Sequence, residues 1–87
     1  MKEVVKFVMA GCPHCRRATN IERELIARHP EYSDVQIETV DENEQADRAN
    51  ACDYYYVPTY YVGGVKIHEG VPSEEKIEAV FKAALAE

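Results

Sequence analysis

The sequence Cys-Pro-His-Cys at residues 12–15 constrains this chain more than any other segment. It follows an apolar run at residues 4–9 and precedes a segment in which apolar residues recur at helical spacing. Two thiols three residues apart at a strand-to-helix junction form a local redox couple, because one thiol can attack a disulfide and the other can resolve the resulting mixed disulfide. The motif therefore predicts thiol–disulfide chemistry at the start of the first helix.

The rest of the composition is that of a small globular domain. Of the 87 residues, 46% are hydrophobic and 30% are charged, which is an ordinary balance for a folded protein. We predict one domain over residues 1–87, because the sequence contains no internal repeat, low-complexity tract or linker. The chain has three cysteines, which fits a catalytic pair and a bystander better than a disulfide framework.

The charge and the N-terminal sequence limit the classes of partner. A net charge of −6 argues against nucleic acid, since phosphate neutralisation requires a basic face. The basic residues His14, Arg16 and Arg17 lie at the cysteine pair, and a cationic active edge or a plain solvated helix face explains the two arginines about equally well. No stretch is apolar enough for a signal peptide or a membrane span, so we expect a cytoplasmic monomer without a membrane partner. A precursor whose signal has already been removed stays open as an alternative.

Apolar periodicity predicts an α/β fold with the element order β-α-β-α-β-β-α. A parallel βαβ unit is followed by a hairpin, whose turn is Gly63-Gly64, and by a closing helix. The expected result is a four-stranded mixed sheet with helices on both faces. The predicted strands are residues 4–9, 35–40, 59–62 and 65–69, and the predicted helices are residues 12–29, 41–51 and 73–85.

Local signals mark the helix boundaries. His29-Pro30 ends the first helix, because a residue before proline leaves the α region. Asp41 with Glu44 resembles a capping box that opens the second helix, and Ser73 is a suitable N-cap for the third. The residues expected to be buried at helical spacing are Cys15, Ala18, Ile21, Leu25 and Ile26 in the first helix, and Ile77, Val80, Phe81 and Leu85 in the third.

The order of residues within the motif gives the two thiols different roles. Pro13 suits the first helical position, which makes Cys12 the N-cap. There the Cys12 sulfur faces free backbone N–H groups and the positive end of the helix dipole, and both favour the thiolate. Cys15 lies on the same edge but faces inward, so we predict Cys12 as the exposed nucleophile and Cys15 as the shielded resolving thiol. A protonated His14 would stabilise the Cys12 thiolate further, and a His14 that merely points into solvent is an equal alternative.

A zinc half-site is the other interpretation of the two cysteines. It requires two more ligands from Cys52, His29 or His68, and no second Cys-x-x-Cys or His-x-x-x-His pair supplies them. We therefore predict no metal and no bound cofactor, the redox-active group being the Cys12–Cys15 disulfide itself.

Three segments resemble the thioredoxin/glutaredoxin superfamily, and the resemblance covers the whole chain. They are residues 5–7 leading into the cysteine motif, the Val-Asp-Glu-Asn sequence at 40–43, and the Tyr-Val-Pro-Thr sequence at 56–59. The resemblance implies a thioredoxin-like fold and a thiol–disulfide oxidoreductase acting on protein disulfides. It also implies a cis Pro58 packed against the cysteines and a substrate-binding segment at Val57, Pro58 and Thr59, in which the Val57 backbone pairs with an extended substrate. An ordinary proline at the start of a strand is the alternative for Pro58.

The two branches of the superfamily are both represented. The short length and the proline directly after Cys12 resemble glutaredoxins, whereas residues 69–85 and the acidic residues 41–44 look more like thioredoxins. Glutathione sites use a basic residue shortly before the motif and a Gly-Gly-Asp/Ser turn, and this chain has Met-Ala-Gly at 9–11 and Gly-Val-Pro-Ser at 70–73 instead. These departures argue against glutathione binding through carboxylate capture, and the electron donor stays open between glutathione and a thioredoxin reductase.

Several residues outside the motif have more than one interpretation. Lys6 stands where thioredoxins place a buried carboxylate, and we expect it to snorkel to an edge of the sheet, with a lowered Cys15 pKa as the alternative. Cys52 is expected to be a half-buried apolar residue rather than a regulatory thiol. Tyr55 or Tyr56 could wall the substrate groove, with packing at the edge of the sheet as the default. His68 is expected to be a strand residue without a further role.

Three functions follow from these observations. The leading hypothesis is a dithiol protein-disulfide reductase that acts through a Cys12 mixed disulfide resolved by Cys15. The second is a glutathione-dependent glutaredoxin that uses Cys12 alone. The third is a non-catalytic thiol switch or metal-binding module, which burial of the pair would support.

Overall fold

The structure, a computed structural model, describes residues 1–86. Its strands and helices follow the predicted order, with one additional 3₁₀ turn at Pro30–Asp34. The elements are β1 (Val4–Val8), α1 (Pro13–Arg28), β2 (Ile37–Asp41), α2 (Ala46–Asn50), β3 (Thr59–Val62), β4 (Val65–Glu69) and α3 (Glu74–Leu85). No helix in this part of the chain has the length and apolar character needed to cross a bilayer.

The four strands form one mixed sheet in the order β2-β1-β3-β4. β1 pairs in parallel with β2, with Val4 opposite Ile37, and antiparallel with β3, with Val4 opposite Val62. β3 and β4 form the predicted hairpin, and both turn glycines have positive φ, 56° for Gly63 and 84° for Gly64. A central β1 agrees with its apolar sequence, and the predicted fold class is confirmed.

Helices cover both faces of the sheet. The larger core lies between the sheet and the pair α1 and α3, where Val4 and Tyr60 pack with Leu25, Ile77 and Phe81. The smaller core lies on the other face beneath α2, where Phe7, Val40 and Ala49 are buried. Successive residues of β1 thus face different helices. This places the end of β1, where the cysteine motif begins, between the two cores.

The second helix differs from its prediction. The Asp41 carboxylate accepts hydrogen bonds from the backbone N–H groups of Asn43 at 2.8 Å and Glu44 at 3.3 Å. Asp41 ends β2, so these bonds stabilise a turn after the strand instead of capping a helix, and α2 begins only at Ala46. The predicted start of α2 at Asp41 is wrong because an Asx turn uses the same side-chain contacts as a capping box.

The other boundaries lie close to their predictions. α1 ends at Arg28, directly before His29-Pro30, and the Ser73 hydroxyl accepts the Lys76 N–H at 3.2 Å at the start of α3. β2 begins at Ile37 instead of residue 35. In α3 the buried position near the C-terminus is Ala84, and Leu85 is only half-buried.

Candidate active site

The two cysteines lie where the end of β1 turns into α1. Gly11 adopts a positive φ of 76°, and the Cys12 amide closes the turn by donating to the Met9 carbonyl at 3.2 Å. Cys12 is the N-cap of α1, Pro13 occupies the first turn, and the Cys12 Sγ accepts the backbone N–H of Cys15 at 3.3 Å. The predicted N-cap position is confirmed. The sulfur thus receives a first-turn donor and the positive end of the helix dipole.

Both cysteines are largely shielded from solvent. Cys12 is 8% exposed and Cys15 is 7% exposed. The prediction of an inward-facing Cys15 is confirmed, but the prediction of an exposed Cys12 is wrong. As the N-cap, Cys12 directs its Sγ toward the first turn of α1, where it accepts the Cys15 N–H, and both cysteines line one cavity with the turn at residues 9–11.

The environment of Cys15 raises its pKa to about 11. Burial is the main cause, and the contact with Cys12 acts in the same direction, whereas the Met9 backbone and the Lys6 ammonium lower the pKa. Cys15 therefore holds its proton at neutral pH and is a poor first nucleophile. This asymmetry favours an initial attack by Cys12.

Lys6 is buried beneath the pair instead of snorkelling. The side chain is 2% exposed, and its Nζ donates to the Thr19 hydroxyl at 2.8 Å and lies 2.8 Å from the Glu22 carboxylate. The Tyr60 hydroxyl donates to the same carboxylate. The snorkelling prediction is wrong because α1 supplies two partners at depth, which compensate the cost of burying the ammonium.

This buried group reaches the motif through Thr19. The Thr19 hydroxyl, which accepts from Lys6, donates to the Cys15 carbonyl at 3.1 Å. A cavity of about 260 Å³ is lined by residues that include both cysteines, Lys6 and Thr19, together with Asp41. The cavity is large enough for several water molecules at about 30 Å³ each. Cys15 thus lies between a buried cation and a space that solvent can enter.

Sequence reasoning missed Thr19, Glu22 and Tyr60. Thr19 and Glu22 follow Cys15 at spacings of four and seven residues, so they share its helix edge. That spacing was a usable signal. The pairing of Glu22 with Lys6 was not, because it joins two elements whose packing the local pattern leaves open.

The segment before β3 contains the cis proline that the resemblance implies. The Val57–Pro58 peptide bond is cis, which confirms that prediction. Pro58 is fully buried and its carbonyl accepts the Gly70 N–H at 3.0 Å, while Thr59 begins β3 opposite Phe7. Within residues 1–86 no hydrogen bond uses the backbone amide or carbonyl of Val57. These groups are available to a bound chain.

Three further residues named from the sequence have simpler surroundings. His14 is exposed on the first turn of α1, as both interpretations of it require. Cys52 is half-buried against the smaller core, which confirms the expected packing. His68 lies in β4 as predicted, and burial there lowers its pKa, although its Nε2 lies 2.9 Å from the Gly70 carbonyl. Residues 1–86 contain no group of three or more His, Cys, Asp or Glu side chains arranged to hold a metal ion.

The fold and the site together define a class of protein, namely small thioredoxin-like α/β domains that carry a cysteine pair at a helix N-terminus. A family model described as a thioredoxin domain matches residues 3–82. The chain therefore belongs to the thioredoxin family, and at the level of that family it is a thiol–disulfide oxidoreductase. No curated protein sequence matches it.

Solved structures support the same assignment. The oxidised thioredoxin from Plasmodium falciparum is 18% identical and superposes with a TM-score of 0.71, covering 98% of this chain and 82% of that one. Thioredoxin O2 from Arabidopsis thaliana in its oxidised state is 27% identical with a TM-score of 0.58, covering 94% and 73%. At 18% identity, the likeness to the Plasmodium falciparum thioredoxin concerns the fold alone.

Proposed function

We propose that this protein reduces disulfides in other proteins by dithiol exchange, with Cys12 as the nucleophile and Cys15 as the resolving thiol. The observation that carries the proposal is the unequal setting of the two sulfurs. The Cys12 Sγ accepts a backbone N–H at the helix N-terminus, whereas burial raises the pKa of Cys15 to about 11. A sulfur at a helix N-terminus is placed to attack first, whereas a buried thiol with a raised pKa reacts later.

The reaction has two steps. The Cys12 thiolate attacks one sulfur of the substrate disulfide, forming a Cys12–substrate disulfide and releasing the other substrate sulfur as a thiolate, which takes a proton from solvent. Cys15 then loses its proton to solvent and attacks Cys12. The Cys12–Cys15 bond forms, the bond to the substrate breaks, and the second substrate thiolate leaves. The pair is oxidised by two electrons and the substrate is reduced by two.

The segment at Val57, Pro58 and Thr59 supports binding of a polypeptide substrate. The free amide and carbonyl of Val57 suit an added extended strand, and Val57 lies two residues before Thr59, which pairs with Phe7 near the end of β1. Main-chain pairing of this kind gives affinity with little dependence on side chains. The substrate class proposed is therefore disulfide-bonded proteins with an extended segment at the disulfide.

The Cys12–Cys15 disulfide must be reduced again after each turnover. A thioredoxin reductase or glutathione would return the Cys12–Cys15 disulfide to the dithiol, and the potential of that donor sets the direction. We propose a monomer that acts in a reducing cytoplasm, where a Cys-x-x-Cys pair is seldom a structural disulfide. Nucleic acid and membranes are not proposed as partners.

A paired turnover assay tests this function. Reduction of insulin with a thioredoxin reductase is compared with reduction of a mixed glutathione disulfide with glutathione. Wild type is expected to turn over insulin, Cys15→Ser to lose insulin turnover because the mixed disulfide is not resolved, and Cys12→Ser to lose both activities. Turnover of only the glutathione disulfide, spared in Cys15→Ser, would identify the glutaredoxin alternative instead.

The low exposure of both cysteines favours a second candidate, a thiol switch without turnover. The rate at which iodoacetamide alkylates Cys12 separates the two candidates. An enzyme requires Cys12 to alkylate faster than free cysteine, because an attacking cysteine is activated by its surroundings. Alkylation no faster than free cysteine, together with no turnover of either substrate, would contradict the enzyme and leave the switch.

A further inference from the structure

The carboxylate of Glu69, at the end of β4, holds the chain that leads into Val57. One carboxylate oxygen accepts the backbone N–H of Tyr55 at 2.5 Å and that of Tyr56 at 3.0 Å. The other oxygen lies 2.7 Å from the Lys66 ammonium. Hydrogen bonds to an ionised acceptor are roughly twice as strong as neutral ones. A single side chain therefore fixes two consecutive peptide groups of a segment that belongs to no helix or strand.

The same segment is attached to the hairpin at its other end. The Asp53 carbonyl accepts the Tyr61 hydroxyl at 2.7 Å and the Lys66 ammonium at 3.2 Å. Lys66 thus links this carbonyl with Glu69. Residues 53–56, which we call the entry segment, are bound to β3 and β4 by side chains of both strands.

This attachment leaves two aromatic rings in solvent. Tyr55 is 84% exposed and Tyr56 is 70% exposed, although their amides are hydrogen-bonded. Val57, whose amide and carbonyl lack partners within residues 1–86, follows directly. Exposed tyrosines beside free backbone groups are suited to a polypeptide, since rigid aromatic rings supply contact area at low entropic cost.

We propose that Glu69 is a positioning residue for substrate recognition, which fixes the entry segment so that Tyr55, Tyr56 and the Val57 backbone present one surface to the polypeptide around a substrate disulfide. The proposal rests on the proposed function. It assigns discrimination between protein disulfides and small disulfides to the entry segment, because a small disulfide reaches Cys12 without contacting the two rings.

The Glu69 carboxylate stays charged wherever thiol exchange proceeds. Lys66 and the two amides lower the pKa of Glu69 to about 2, from an ordinary value of 4.5. Because the folded pKa is the lower one, its contribution is complete above about pH 4.5 and declines only as the pH falls toward 2. Substitution, and not pH, is therefore the way to test Glu69.

The experiment measures the oxidation of the pre-reduced protein in a single turnover, with insulin and with hydroxyethyl disulfide as the two probes. Glu69→Ala is expected to lower the rate constant for insulin about tenfold, which corresponds to about 1.4 kcal/mol, and to leave that for hydroxyethyl disulfide within about twofold, since ordering of the entry segment stabilises only the larger complex. Glu69→Gln, which keeps one acceptor oxygen, should restore part of the insulin rate.

Two controls separate the ion pair from the hold on the amides. Lys66→Met leaves both Tyr amides with their acceptor and is expected to lose less of the insulin rate than Glu69→Ala. Glu38→Ala removes another exposed carboxylate. Glu38 lies on β2 and pairs with Arg48 of α2 at 2.5 Å. This substitution should leave both rate constants unchanged.

The outcomes distinguish this proposal from the proposed function. If wild type oxidises with neither probe, the proposed function fails. If wild type reacts with both and Glu69→Ala lowers both rates equally or neither, the proposed function stands and the role of Glu69 is overturned. Hydrogen exchange of the Tyr55 and Tyr56 amides gives a readout independent of turnover. We expect protection in wild type, loss in Glu69→Ala and partial protection in Glu69→Gln, and unprotected amides in wild type would contradict the hold itself.

Discussion

At the scale of single residues, the second step of the proposed exchange depends on the surroundings of Cys15. Burial raises the pKa of Cys15 to about 11, and the Lys6 ammonium is a nearby charge that opposes the shift. The ammonium is itself held by Thr19 and Glu22. Removal of a positive charge near a thiol disfavours its thiolate. In the proposed mechanism, Lys6 would therefore assist resolution through electrostatics, without contact to the substrate.

We predict that Lys6→Met shifts the pH–rate profile of the resolution step to higher pH and slows resolution at neutral pH. The mixed disulfide is formed first with excess substrate, and release of the second substrate thiol is followed by stopped flow. Lys2→Met, which alters an exposed lysine, is the control. An unchanged profile in Lys6→Met would show that Lys6 has no part in the step.

Lys6→Met is also expected to lower the stability of the fold, so a second variant is needed to separate that effect from the effect on resolution. Loss of one partner from a buried ion pair costs about 3–5 kcal/mol, because the Glu22 carboxylate then lacks its cation. Replacement of both partners by apolar residues is often neutral or stabilising. The double variant Lys6→Met with Glu22→Leu should therefore be more stable than Lys6→Met alone, while it keeps the shifted pH profile.

At the scale of elements, β4 contributes more than hairpin pairing. Its last residue holds the entry segment, and His68 is buried beside Tyr60, with ring centroids 6.1 Å apart. Burial lowers the pKa of His68 below its ordinary value of 6.5. Because the unfolded chain then binds the His68 proton more readily than the folded chain, stability falls as the pH decreases from 6.5.

We predict that His68→Gln reduces the loss of unfolding free energy between pH 7.5 and pH 5.5, since glutamine has no proton to gain in that range. Urea titrations of wild type and variant at the two pH values measure the loss. His14→Gln, which alters an exposed histidine, serves as the control. An equal loss in wild type and His68→Gln would contradict the role assigned to burial.

An element is predicted well from the sequence when the residues that mark its boundaries lie within a few positions of those boundaries. β3, β4 and the ends of α1 were predicted closely, because Gly63-Gly64, Pro13 and Pro30 act within a few residues of the boundary they mark. α2 was placed too early, because one aspartate can stabilise either a turn or a helix start.

The features of the site also differ in whether the local sequence predicts them. The N-cap position of Cys12 is a local property and was predicted, whereas its low exposure is a property of the folded site that the local pattern does not give. The Lys6–Glu22 pair and the hold of Glu69 on the entry segment join parts of the chain that only the tertiary fold brings together. No periodicity encodes such pairs.

At the scale of the whole molecule, the central strand β1 connects the site with both cores. Lys6 faces α1 and the charged group beneath the cysteines, while the next residue, Phe7, stacks on Tyr54 at 5.1 Å in the core of the other face. The cysteine motif follows where this strand ends. The two cysteines thus follow a strand that is packed on both faces, and the entry segment is attached by side chains of the hairpin.

The central claim, that Cys12 attacks and Cys15 resolves, is tested most directly by trapping the mixed disulfide. Cys15→Ser is mixed with insulin and the products are separated without reductant and weighed by mass spectrometry. We predict a covalent adduct of insulin at Cys12, which dithiothreitol releases, and no adduct with Cys12→Ser. An adduct at Cys15 in Cys12→Ser, or no adduct in Cys15→Ser, would contradict the account.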